Sequence, residues 1–154
     1  MILRVMREAR NTFYSGFYEK GEFTLKNGVI DLRGSYRDGI YVYLSGGRND
    51  GIYMLHKSGE EYVLENTVDD VFAGTVFALA VPPDFLELVR DIEAFIQNMP
   101  DSGFVSERFG EYSYTRQKED GSWENIFALR VNKYKKMRDE LLDMLNGGEA
   151  YSVG

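Results

Sequence analysis

Paired turn residues punctuate one long stretch of this chain, and they constrain its fold more than any other feature. Between Ser15 and Val81 stand Asn27-Gly28, Asp38-Gly39, Asp50-Gly51 and Ser58-Gly59, and this stretch holds ten of the sixteen glycines. Such pairs supply the positive φ angles that tight hairpin turns need, because Asn, Asp and Gly tolerate them. Short β-prone runs lie between the pairs. Glu22–Lys26 alternates polar with apolar residues, whereas Val29–Leu32, Ile40–Leu44, Ile52–Leu55 and Tyr62–Leu64 are more continuously apolar. Continuous apolar runs suit strands covered on both faces. Turns recurring about every ten residues predict a small antiparallel barrel or sandwich. Val71–Val81 reads as a last buried strand, with one helical turn over Asp69–Ala73 as the alternative.

The pattern changes on either side of this module. Ile2, Val5, Met6, Ala9 and Phe13 recur at helical spacing, which predicts a short amphipathic helix within residues 1–14. Pro82-Pro83 cannot occupy a central strand but suits a helix start, and Asp84 and Glu87 complement the positive helix N-terminus. Phe85, Leu88, Val89, Ile92, Phe95, Ile96 and Met99 then trace one apolar stripe, which Pro100 ends. A second helix is expected from the N-cap Ser122 to the stop at Gly147-Gly148. Its apolar set is Trp123, Ile126, Phe127, Val131, Tyr134, Met137, Leu141 and Leu145. The expected class is therefore α+β. A β-rich module over 15–81 precedes a helical hairpin over 83–146, and a frayed tail covers 147–154.

Composition narrows the chemistry. The net charge of −7 gives the chain no general attraction to nucleic acid or anionic lipid. With no cysteine, disulfides, thiol catalysis and thiolate metal sites are excluded, and one histidine excludes a multi-histidine metal site within one chain. Met1–Arg10 is charged and does not read as a secretory signal, and Val71–Pro83 is too short an apolar run to cross a bilayer. The expected place of synthesis is the cell interior. Eleven tyrosines and ten phenylalanines fit either half-buried β surface or protein–protein interfaces.

The predicted helices are joined by an unusual connection, Gly103–Arg116, in which Tyr112 and Tyr114 alternate with Ser113 and Thr115. Helix–helix loops are ordinarily short and polar. The order of a long helix, then Val-Ser-Glu-Arg-Phe-Gly-Glu-Tyr-Ser-Tyr, then a helix with a Tyr-Lys-Lys run resembles the head–tail connector, or adaptor, proteins of tailed bacteriophages. The matching positions are Ser106, Glu107, Gly110, Tyr112 and Ser113, and the resemblance spans Pro83–Arg138, about a third of the chain.

The resemblance implies a virion structural protein of the phage neck, present in the host cytoplasm during assembly. It implies a homo-oligomeric ring, commonly of about twelve subunits, with portal and tail or neck proteins as partners and at most weak, non-specific contact with DNA. The front half departs from the family, whose members are mostly helical and shorter. Gly34-Ser35-Tyr36 and Ser45–Tyr53 instead look like segments of prophage proteins from Gram-positive bacteria. The expected subunit interface is Phe104, Ser106, Glu107, Phe109, Gly110, Tyr112, Ser113 and Tyr114, in which the aromatics supply apolar area at low entropic cost. An internal β-hairpin packed on its own subunit is the competing reading.

Other constellations carry less. Arg130, Lys133 and Lys136 form a candidate patch facing DNA or a partner, weighed against a solvated helix face. Asp69 and Asp70, with Glu60, Glu61 and Glu65, read first as solvated loop charge. Gly46–Gly51 lacks the lysine and hydroxyl of a phosphate loop, so it reads as a turn. His56 reads as structural, and Trp123 as an anchor for the second helix. The expectation is a protein that is not an enzyme, with no catalytic set, metal or cofactor and no membrane partner. The alternatives are a small β-barrel module that binds nucleic acid and, further off, a metal-dependent enzyme built on the acidic cluster.

Overall fold

The computed structural model describes residues 1–98 and 122–145. Among these residues seven strands follow the first helix: β1 Tyr14–Lys26, β2 Val29–Ile30, β3 Tyr41–Ser45, β4 Gly51–Met54, β5 His56–Ser58, β6 Glu61–Val63 and β7 Asp70–Leu79. The described helices are α1 Ile2–Ala9, α2 Pro83–Gln97, α3 Trp123–Ile126 and α4 Ala128–Asn132, and residues 140–145 form a further helix, α5. The chain contacts define two compact units: Met1–Asn11 with Pro82–Arg138, and Thr12–Val81 with the chain from Asp139 onward.

The second unit is the β module, and its class is the one the turn pairs predict. All pairings are antiparallel in the order β4-β3-β7-β1-β2-β6-β5. The two outermost strands, β4 and β5, are neighbours in sequence, separated only by Leu55. The sheet is therefore nearly closed, a barrel rather than a sandwich. Leu55 is fully buried, and its N–H donates to Ile40 O at 2.7 Å. The interior is filled by Phe23, Leu25, Ile30, Val42, Leu44, Leu64, Phe72 and Val76 around it.

Turn chemistry closes the β1–β2 hairpin where expected, whereas Asp38-Gly39 turns within the longer β2–β3 connection and Gly51 of the predicted pair Asp50-Gly51 already belongs to β4. Asn27 and Gly28 both take positive φ, 53° and 81°, and the β1–β2 loop is two residues long. That is the twist-matched turn. A Cβ on Gly28 would lie 2.8 Å from Leu64 O, so only glycine fits. The β5–β6 turn instead places only its first residue, Gly59, at positive φ (65°). The apolar runs of β3 and of Val76–Leu79 are buried on both faces, as continuous runs require.

Two stretches differ from the sequence expectation. β1 begins at Tyr14, eight residues before the predicted Glu22. Its early half is irregular: Tyr14 pairs with Leu79 but Tyr18 with Phe77, which leaves a bulge at residues 15–17 with Gly16 at φ 90°. The bulge breaks the alternation that identifies strands in sequence. The expected second long helix is also not continuous. It divides into α3, α4 and α5, with residues 133–139 non-helical. Tertiary partners take the backbone groups in this break: Lys136 N–H donates to Ala9 O at 3.1 Å, and Asn11 Nδ2 donates to Tyr134 O at 2.9 Å. Met137, counted in the apolar stripe, is 98% exposed.

In the helical unit, α1 ends earlier than expected. Arg10 adopts the left-handed conformation (φ 52°), and Asn11 N–H donates to Met6 O at 2.9 Å, a common helix stop. Val5, Met6 and Ala9 are fully buried. In α2, Pro83 opens the helix, Asp84 sits in the first turn, and Phe85, Leu88, Val89 and Ile92 are buried as their spacing predicts. α1 packs against α2 and α4, and α2 against α3. Among the described residues no helix is long and apolar enough to cross a membrane.

Candidate interaction surfaces

The expected interface set, Phe104, Ser106, Glu107, Phe109, Gly110, Tyr112, Ser113 and Tyr114, lies outside the described residues. The basic set lies within them. Arg130 bonds Asp91 at 2.8 Å, and Lys133 bonds Asp84 at 3.3 Å. Both cations thus face carboxylates from α2. Lys136 is exposed, and α4 ends at Asn132, so no continuous helical face joins it to Arg130. The Asp84 carboxyl is held below the usual carboxylate range, first by a hydrogen bond from the Tyr134 hydroxyl and then by the Lys133 ammonium. Burial and that same bond push the Tyr134 phenol up to about 12.

Five aspartates of the barrel are occupied by backbone, whereas Glu60, Glu61 and Glu65 of the predicted acidic cluster are exposed. Asp69 accepts from Asn27 N–H at 2.9 Å, and Asp70 accepts from Arg48 N–H at 2.8 Å. Asp50 accepts from Gly47 N–H, Asp38 from Lys57 N–H, and Asp31 from Thr24 N–H. The glycine-rich loop at 46–50 is thus held by two carboxylates, the role a phosphate would take in an anion-binding nest. Among the described residues no group of three or more His, Asp or Glu could hold a metal ion. His56 opens β5 opposite Val63.

Two polar centres in the barrel unit have no signature in the sequence. Asp139, buried, accepts from Thr12 N–H at 2.7 Å and from the Thr12 hydroxyl at 3.0 Å. It also caps α5 through Leu142 N–H at 2.9 Å. The partners lie 127 residues apart, so no local pattern announces them. Glu19 accepts from Arg33 N–H at 3.0 Å, from Gly34 N–H at 2.6 Å and from the Tyr36 hydroxyl at 2.7 Å. Tyr36 N–H donates to the Tyr62 hydroxyl at 2.9 Å. Burial, reinforced by the bond to Glu19, drives the Tyr36 phenol far above its ordinary value.

An aromatic row crosses the outer face of the barrel. Tyr43 and Tyr18 both register with Phe77, at ring separations of 6.4 and 6.3 Å, and Tyr14 stands edge-on to Phe77 at 5.6 Å. Tyr18 is 55% exposed. Phe17, on the opposite face of β1, is 45% exposed and stands edge-on to Tyr36. In the helical unit Leu129 is 87% exposed and Ile126 is exposed as well. These large apolar side chains are the described residues best suited to contact another molecule. The composition hinted at the aromatic ones through its excess of aromatics, but the bulge beside which Phe17 and Tyr18 are exposed was not readable. Comparison of the chain with protein-family models, with curated proteins and with solved structures returns no match.

Proposed function

We propose that this chain is a structural, non-enzymatic component of a tailed-phage neck, a head–tail connector or adaptor that builds a ring through contacts between its own copies. The observation that carries the reading is the Ser106, Glu107, Gly110, Tyr112, Ser113 segment, set between the amphipathic helix α2 and the α3–α4 segment. The exposed apolar side chains of both units support it, since a subunit that spends its life in a ring keeps such surface for its neighbours. The acidic residues support it in another way. Among the described residues Asp31, Asp38, Asp50, Asp69 and Asp70 bind backbone N–H groups and Asp84 and Asp91 pair with cations, and no three of them gather at one point. Arg130 and Lys133 of the candidate basic patch are matched by the α2 carboxylates Asp91 and Asp84, which lowers the positive charge that patch could offer DNA.

The test is assembly. Light scattering of the purified chain with and without portal particles should show ring-sized particles with portal, and deletion of residues 105–115 should abolish them. Assembly that proceeds unchanged after that deletion, or particles that never form, would overturn the reading.

A further inference from the structure

The early half of β1 has an open edge. β1 pairs with β7 at Tyr14 and from Tyr18 to Leu25, but with β2 only at Leu25 and Lys26. On the β2 side, Thr24 N–H and C=O are both taken by Asp31, at 2.6 and 3.3 Å, and Glu22 C=O accepts from Arg33 Nη2 at 2.9 Å. Backbone groups of a strand alternate between its two edges. The N–H and C=O groups of Lys20 and Tyr18 therefore face that same side, beyond the end of β2, where among the described residues no hydrogen-bonding group meets them. The opening is short. The bulge at residues 15–17 bounds it at one end and the Arg33 guanidinium at the other.

We propose that this edge pairs, antiparallel about Glu19, with the same edge of a second copy of the chain. In that register Tyr18 lies opposite Lys20 of the second copy, and Lys20 opposite its Tyr18. Each copy then uses both of its free N–H groups and both of its free C=O groups, and no internal bond is broken. A register centred on Gly21 would need Glu22 C=O, where Arg33 sits, and Thr24, where Asp31 sits. A register displaced the other way runs into the bulge. The side chains agree with the backbone. On the outer face each exposed Tyr18 ring meets a Lys20 ammonium, a favourable cation–aromatic pair. On the inner face the two Glu19 residues meet at the two-fold axis. Their carboxylates are drawn away into the loop by Arg33 N–H, Gly34 N–H and the Tyr36 hydroxyl, so two bare like charges do not oppose each other. The contact is isologous and separate from the head-to-tail contacts a ring requires. It does not rest on the neck reading.

Analytical ultracentrifugation of the full chain should show a monomer–dimer equilibrium with a dissociation constant on the order of 100 µM. Lys20→Pro removes an N–H that faces outward, which an edge strand tolerates, and should weaken the dimer at least ~tenfold with the circular dichroism unchanged. The chain has no cysteine, which permits a second test independent of how the proline variant folds. Under mild oxidation, a mixture of Tyr18→Cys and Lys20→Cys chains should form the mixed disulfide dimer several times faster than either variant alone. A chain that remains monomeric to about 1 mM, or a mixture that cross-links no faster than its components, would overturn the proposal.

Discussion

The two units use their acidic residues in opposite ways. In the barrel, Glu19, Asp31, Asp38, Asp50, Asp69 and Asp70 accept hydrogen bonds from backbone N–H groups of loops and of the strands β1 and β5. In the helical unit, Asp84, Asp91 and Glu124 face Lys133, Arg130 and Arg4 across exposed surface. A carboxylate bound to backbone fixes the path of the chain and barely feels dissolved salt. An exposed ion pair contributes little and weakens as ionic strength rises. Strands as short as β2, β5 and β6 need the loops beside them pinned, whereas helices satisfy their own backbone and can leave their charges at the surface.

That contrast is open to attack in order of size. The barrel should fail first through its core: Phe23→Ala should cost about 3–5 kcal/mol, read as a lowered urea midpoint of the strand signal. Next comes the buried centre at Asp139. Asp139→Ala removes the cap of α5 and leaves Thr12 N–H unsatisfied, for a cost of about 2–4 kcal/mol, whereas Asp139→Asn should recover part of it. If the alanine variant were as stable as the parent, backbone-directed carboxylates would not be the distinguishing device of the barrel.

The helical unit should respond far less to loss of its charges. Arg130→Ala or Lys133→Ala should cost about 0–1 kcal/mol, and added salt should shrink even that. The single tryptophan, Trp123, is buried in this unit and reports on it by fluorescence. The smallest effect is a titration. The Tyr134 phenol lies above its ordinary value of 10.0, at about 12. A raised value means that its contribution is fully present below about pH 10 and is lost as the pH climbs towards 12. Asp84 runs the other way: its depressed value means that its contribution is present above the ordinary carboxylate range and is lost on acidification. Tyr134→Phe should remove the alkaline loss and lessen the acidic one, checked by Trp123 fluorescence against pH.

What could be read in advance was what the chain encodes locally. Asn27-Gly28 sets its turn by its own φ preferences. The α2 stripe buries Phe85, Leu88, Val89 and Ile92 because 3.6-residue spacing leaves no other face for them. Reading failed where partners come from afar. Nothing near Asp139 announces Thr12, and nothing in the run from Ser122 to Leu145 reveals that Ala9 and Asn11 take up backbone groups at Lys136 and Tyr134. The candidate surface divides similarly. Aromatic excess pointed to contact-making, while the bulge beside which Phe17 and Tyr18 are exposed depends on β7 being one partner for two irregularly spaced stretches of β1.

The junction at Leu55 has a consequence for how errors spread. One residue connects the strands that form the two margins of the sheet, so neither margin can slip along its neighbour without dragging the other out of step. The circumference of the barrel is thereby locked from both sides at once. Amide protons across residues 51–58 should exchange as a single block, opening only when the entire ring of strands lets go.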